Sequence, residues 1–178
     1  PVAQTDVDAV IQSLTDHLPE FIASLDIKPL ELIGLGMPGL VDVERGIIHS
    51  ASDLGWHQVD IADLVRRKIR RPTVVVNRHR ARGLAECRFC AGKEFNSVVY
   101  IGIGSGIASG IFHNSQLMYG TIGGAGEIGH MTIEPSGPLC PCGNQGCLQM
   151  FVTEGGLEQE ARRLLKAGRT SAICPDPG

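Results

Sequence analysis

Long apolar runs are missing from this chain of 178 residues. Nothing in it reads as a membrane span or as the hydrophobic region of a secretory signal. The expectation is a cytoplasmic protein without a membrane partner, in a reducing compartment that disfavours disulfides. Charge of one sign is missing too: 16 Lys and Arg stand against 19 Asp and Glu, a formal net charge of −3. That balance exerts no general pull toward nucleic acid or membrane. The basic run Arg66-Arg67-Lys68-Ile69-Arg70-Arg71 is a local exception. It follows an amphipathic stretch and reads as a solvated helix end, where cations suit the macrodipole. Internal repeats and low-complexity linkers are also absent. What remains is 43% hydrophobic and 20% charged, the composition of a globular chain with a core of useful size, as one domain or two small lobes.

The densest chemistry lies between His130 and Cys147. Gly129-His130 is followed by Cys140-Pro141-Cys142-Gly143-Asn144-Gln145-Gly146-Cys147, so three thiols and one imidazole fall in a short glycine-rich stretch. Zinc favours thiolate and imidazole, and a structural site fills all four tetrahedral positions with protein groups. Gly143 and Gly146 permit the tight turns that let the thiols converge. The alternatives are a disulfide pair with a spare thiol, or three unconnected thiols. A reducing compartment weighs against the first, and the expectation is a structural Zn2+ held by His130, Cys140, Cys142 and Cys147. Cys87-x-x-Cys90 has redox-motif spacing but no second pair, and reads as two ordinary thiols; Cys174 is unassigned.

Apolar periodicity predicts an amphipathic helix over 6–25, interrupted or bent near Pro19. Leu30 to Leu35 reads as a buried strand entering the turn Gly36-Met37-Pro38-Gly39. Ile47-Ile48 is a short strand before a loop from Ser50 to Trp56. His57-Gln58 shows no apolar period, so the next helix starts at Asp60. Pro72 to Asn77 is β-branched, as in a parallel sheet with both faces covered. A helix over 81–90 follows, with Gly92 as terminator. Strand, glycine turn and strand occupy 96–111, a glycine-rich loop 121–131, and a helix 157–166. The alternation argues for an α/β fold.

Taken together, Glu127-Ile128-Gly129-His130 and Cys140-Pro141-Cys142-Gly143-Asn144-Gln145-Gly146-Cys147-Leu148 resemble the signature of the ROK family (repressors, open reading frames and kinases). Gly34 to Asp42, Asp53-Leu54-Gly55-Trp56 and Val99 to Ile107 resemble further family segments in the same order. The resemblance spans about residues 30–155. It implies an actin-like (ribonuclease H-like) two-lobed ATPase-type fold with a ligand cleft between the lobes. Residues 1–96 would be the first lobe, without its N-terminal hairpin and phosphate loop. Residues 97–178 would be the start of the second lobe, carrying the zinc loop. The family's opening Asp-x-Gly-Gly-Thr loop and the repressors' helix-turn-helix domain have no counterpart in the sequence, so the chain is expected to be cut at both ends.

The resemblance also marks departures. In the family's sugar kinases the strand matching Val74-Val75-Val76 ends in Asn-Asp, the Asn binding a sugar hydroxyl and the Asp serving as general base. Here that pair aligns with Asn77-Arg78, and a guanidinium stays protonated at neutral pH. A shift of register by one would offer His79 instead. The Asn of the Asn-Leu-x-Trp loop becomes Asp53, and the Glu of Cys-Leu-Glu becomes Gln149. Asn77, Glu127 and His130 are retained as implied contacts to sugar hydroxyls. Gly36 and Gly39 either let backbone approach a ligand closely or simply make a turn. Gly102 to Gly106 matches the family's second phosphate loop, or is a hairpin needing positive φ. Trp56 could stack on a sugar or be a partly buried aromatic.

The resulting expectation is the sugar-binding effector part of a ROK-type transcriptional regulator, zinc-stabilised and without a catalytic residue. Its ligand would be a sugar, or an anionic sugar derivative drawn by Arg78, Arg80 and Arg82. DNA would be reached only through a helix-turn-helix domain outside this chain, and a homodimer or higher assembly is expected. The alternative is a fragment of an ATP-dependent hexokinase- or glucokinase-like enzyme.

Overall fold

The computed structural model describes residues 6–25 and 31–172; Leu30 and Cys174, named above, lie outside them. Helix α1 spans Val7–Ser24, opened by Asp6, whose carboxylate accepts from the Asp8 amide. It runs on through Pro19 rather than being interrupted there. Proline withdraws one donor and clashes within its own turn, yet the helix resumes because its apolar stripe continues on both sides. Strand β1 (Ile33–Met37) pairs in parallel with β5 (Thr73–Asn77), in register from Ile33 opposite Thr73 to Met37 opposite Asn77. A parallel pair requires a long crossover. The intervening chain supplies it as an antiparallel sheet, β2 (Leu40–Asp42), β3 (Ile47–Ala51) and β4 (Trp56–Asp60), and then α2 (Ile61–Ile69).

Strand β4 stands where the sequence suggested only loop. Its residues carry no clear alternation: Trp56 is buried, His57 and Gln58 are exposed, and Gln58 has φ +52°. Asp60 caps α2 by accepting from the Asp63 amide. The expected double coverage of β5 is not observed among the described residues, since Val75 is fully buried but Val74 is 44% exposed. Ile11, Val41, Ile48, Trp56, Ile61, Val65 and Val75 form the buried core here. Trp56, with no exposed surface, is therefore a core residue and cannot stack on a ligand.

Helix α3 (Arg78–Phe89) follows β5 directly, three residues earlier than the periodicity suggested, because Asn77 caps it. Strands β6 (Ser97–Ile103), β7 (Ile107–His113) and β8 (Gln116–Leu117) form a third sheet in that order. Helices α4 (Gln149–Val152) and α5 (Glu154–Lys166) complete the described chain, with Thr153 capping α5. Contacts divide the described residues into two compact units. One holds 6–25, 31–100 and 110–125; the other holds 101–109 and 126–172.

Candidate metal centre and ligand residues

In the second unit the four sequence-predicted metal ligands converge. One donor atom from each of His130, Cys140, Cys142 and Cys147 lies within 4.8 Å of the other three. Cys142 Sγ and Cys147 Sγ are 3.8 Å apart, and Cys140 Sγ and His130 Nδ1 are also 3.8 Å apart. A tetrahedral ion with Zn–S bonds of ~2.3 Å separates two thiolates by ~3.8 Å. A disulfide would need ~2.05 Å, and all five described cysteines are free. The donor set and its spacing fit zinc.

Local backbone chemistry builds this cage. His130 ends a single 3₁₀ turn, Ile128–His130, pressed close to β7: a Cβ on Gly129 would fall 2.2 Å from the Ile107 carbonyl oxygen. Thr132 bridges to Cys147, and Leu139 to Gln145, both antiparallel. The Gly143 amide donates to the Cys140 carbonyl (2.9 Å) and the Cys140 amide to that of Asn144 (2.8 Å), closing a tight turn. Gly143 takes φ +91° and Gly146 φ +67°, so the expected glycine turns are present. Cys140 and Cys147 are buried, at 2% and 0% exposure. Burial, reinforced by the neighbouring thiols of Cys140 and Cys142, pushes the Cys147 thiol up to about 12. At Cys142 burial acts upward but is outweighed by the Asn144 amide and the other two thiols, leaving its thiol below the usual value. Thiolates this close together call for a cation.

Gln149 belongs to the same neighbourhood. Its Nε2 donates to Cys140 Sγ at 3.3 Å, a bond that a carboxylate at this position could not make. Such outer hydrogen bonds orient and tune metal ligands. Glu127 precedes the His130 turn and is half-buried rather than solvent-exposed. Gly104 to Gly106 turn between β6 and β7 with no positive φ, so a left-handed conformation does not explain these glycines.

In the first unit, Asn77 ends β5 and is 3% exposed. Its Oδ1 accepts from the His79 and Arg80 amides (2.9 and 3.3 Å), and its Nδ2 donates to the Gly39 carbonyl (2.9 Å). Gly39 sits at φ +87°, where a Cβ would lie 2.1 Å from the Ser50 carbonyl oxygen; the turn itself demands glycine. A Cβ on Gly36 would meet Arg78 Cα at 3.5 Å, an ordinary contact. Arg78 donates from Nη2 to Asp53 Oδ2 at 3.0 Å. Arg80 is buried at 1% exposure and donates to the carbonyls of Gly123 and Ala125. His79 is 7% exposed, and its Nδ1 has no hydrogen-bond partner among the described residues. Burial, then the charges of Arg78 and Arg82, hold its pKa below the ordinary value.

Sequence reasoning missed a cavity of about 610 Å³ in this unit, lined by residues 40–44, His49 and residues 119–123. The only advance signal was the clustering of turn glycines at 120, 123 and 124. It also missed the role of Arg80, whose partners lie more than forty residues away.

The model of the ROK family matches residues 3–175. The chain belongs to the ROK family. Among its curated ROK relatives, the xylose repressor of Bacillus spizizenii is 35% identical over 81% of this chain and 38% of that protein. The transcriptional dual regulator NagC of Escherichia coli is 30% identical over 99% of this chain and 44% of that protein. The chain thus spans less than half the length of these relatives. Among solved structures, a ROK transcriptional regulator homologous to the E. coli MLC protein superposes with a TM-score of 0.80 at 28% identity, over 96% of this chain and 44% of that one. A ROK glucokinase from Streptomyces griseus, in complex with glucose and AMPPNP, superposes with a TM-score of 0.82 at 28% identity, over 93% and 52%. The α/β fold is accordingly that of the actin-like ATPases, as expected. No helix among the described residues is long and apolar enough to cross a membrane.

Proposed function

We propose that this chain is the sugar-sensing part of a ROK transcriptional regulator, stabilised by zinc and without phosphotransfer activity. The carrying observation is the end of β5. Where the resemblance puts a kinase's general base, the chain has Arg78 paired with Asp53. A guanidinium in an ion pair accepts no proton, and phosphoryl transfer needs a positioned base together with nucleotide and metal. The repressor and regulator relatives support the same reading.

In this proposal zinc is held by His130, Cys140, Cys142 and Cys147 and fixes the position and tautomer of the His130 imidazole. Asn77, Glu127 and His130 serve as contacts to sugar hydroxyls, and the backbone at Gly36 and Gly39, beside Asn77, serves as a further ligand contact. Gln149 serves the metal cage rather than the sugar. The protein would act in the cytoplasm as a homodimer or higher assembly. DNA would be contacted by a helix-turn-helix domain of the complete protein, which sugar binding biases through differential affinity for two states.

A sugar-kinase reading has one observation in its favour, the superposition on a glucokinase. The test is calorimetric titration of the full-length, zinc-loaded protein with hexoses, pentoses and amino sugars, beside an assay for MgATP-dependent sugar phosphorylation. Saturable heat without nucleotide, and no phosphorylation, is the expected result. Robust phosphorylation would overturn it.

A further inference from the structure

Helix α3 opens with Arg78-His79-Arg80 and has no acidic residue in its first turn. Cations at a helix N-terminus oppose the macrodipole, so this turn is electrostatically costly as written. Local conflicts of this kind mark functional positions. The structure offsets the two arginines differently. Arg80 is buried on the carbonyls of Gly123 and Ala125. Arg78 is neutralised by Asp53, with the two side chains 33% and 46% exposed. Both members of this pair stand at positions where the sequence departs from the sugar-kinase pattern. The two departures are thus one feature: each supplies the other's counter-charge. The pair also stands at the carboxyl end of a parallel strand, where open α/β sheets take their ligands.

We propose that the Arg78–Asp53 pair sets the class of ligand, admitting a neutral sugar and discriminating against sugar acids and sugar phosphates. This rests on the sugar-sensing reading above. A hydroxyl donates and accepts, so it can join an ion pair without displacing either member. An anion must take Arg78 from its partner while facing the Asp53 carboxylate. The arginines that suggested an anionic ligand in the sequence do not form an anion trap: Arg80 is spent on carbonyls and Arg78 on Asp53.

The experiment is calorimetry on the full-length protein with matched neutral sugars, sugar acids and sugar phosphates. Wild type, Asp53→Asn and Asp53→Asn/Arg78→Ala are compared, each checked for zinc content and thermal midpoint. Wild type should bind a neutral sugar and reject its anionic counterparts. Asp53→Asn, which removes the carboxylate that faces Arg78, should raise anion affinity relative to neutral by about fivefold or more, the scale of a partly exposed ion pair plus lost repulsion. The double variant should lose that gain. Arg78→Gln gives an independent arm of opposite sign, deepening rejection of anions. Wild type binding an anion as tightly as its neutral counterpart, or a ratio unmoved in Asp53→Asn and Arg78→Gln alike, overturns the proposal while leaving a sugar sensor. Silence of wild type toward every sugar removes the sensor reading, and this inference with it.

Discussion

Arg78, Arg80 and Arg82 share the start of one helix and meet three surroundings: a carboxylate, a pair of backbone carbonyls, and solvent. His79, between the first two, feels the result. Burial first, and then the Arg78 and Arg82 charges, hold its folded pKa below the ordinary 6.5. The folded protein therefore binds a proton at His79 less readily than the unfolded chain does. Its contribution to stability is fully present above the ordinary histidine value and is lost as pH falls through that value toward the depressed one. Urea unfolding of wild type and His79→Gln at pH 7.5 and 5.5 checks this: the acid-induced loss of stability should be smaller in the variant, and equal losses would refute it. Little of this was legible in the sequence. A run of Arg-His-Arg-Ala-Arg reads as a cationic loop, and only the fold reveals that Arg80 reaches residues 123 and 125.

The metal loop was the most legible element, and for a physical reason. Its ligands lie within one short segment, and its turns require residues with positive φ, which glycine supplies. Gly146 is the sharpest case: at φ +67°, a Cβ would fall 1.6 Å from the Glu134 carbonyl oxygen. Gly146→Ala must therefore move the segment carrying Cys147. Zinc bound per chain, measured by colorimetric release, should drop to well under half of the wild-type value. Undiminished zinc would mean that the loop tolerates a different path. Strand β4 was illegible because it buries Trp56 and little else, leaving no alternation to read. Helix α3 starts before the expected residue 81 because Asn77 caps it, accepting from the His79 and Arg80 amides, and a cap of this kind leaves no apolar period to read.

At the scale of the molecule, the two units are built unequally. The main hydrophobic cluster, from Ile11 to Val75, lies wholly in the first unit. In the second, the buried apolar residues among those described are Ile107, Ala108, Cys140 and Cys147, so half of them belong to the candidate metal site. A metal bound there would stand in for a core and contribute folding free energy directly. Chelation should lower the thermal midpoint by about 10 °C or more. It should also expose the amides of residues 130–148 to hydrogen exchange while those of β1 and β5 stay protected. Uniform loss of protection, or none, would contradict this division. The pairing of Arg78 with Asp53 couples, finally, two positions far apart in the chain. Arg78→Asp alone would set two carboxylates side by side, and Asp53→Asn alone would take from Arg78 the carboxylate to which it donates. Either single exchange is thus less favourable than changing both positions together. An ion pair of modest strength acts as a latch between two positions 25 residues apart: neither changes favourably unless the other changes with it.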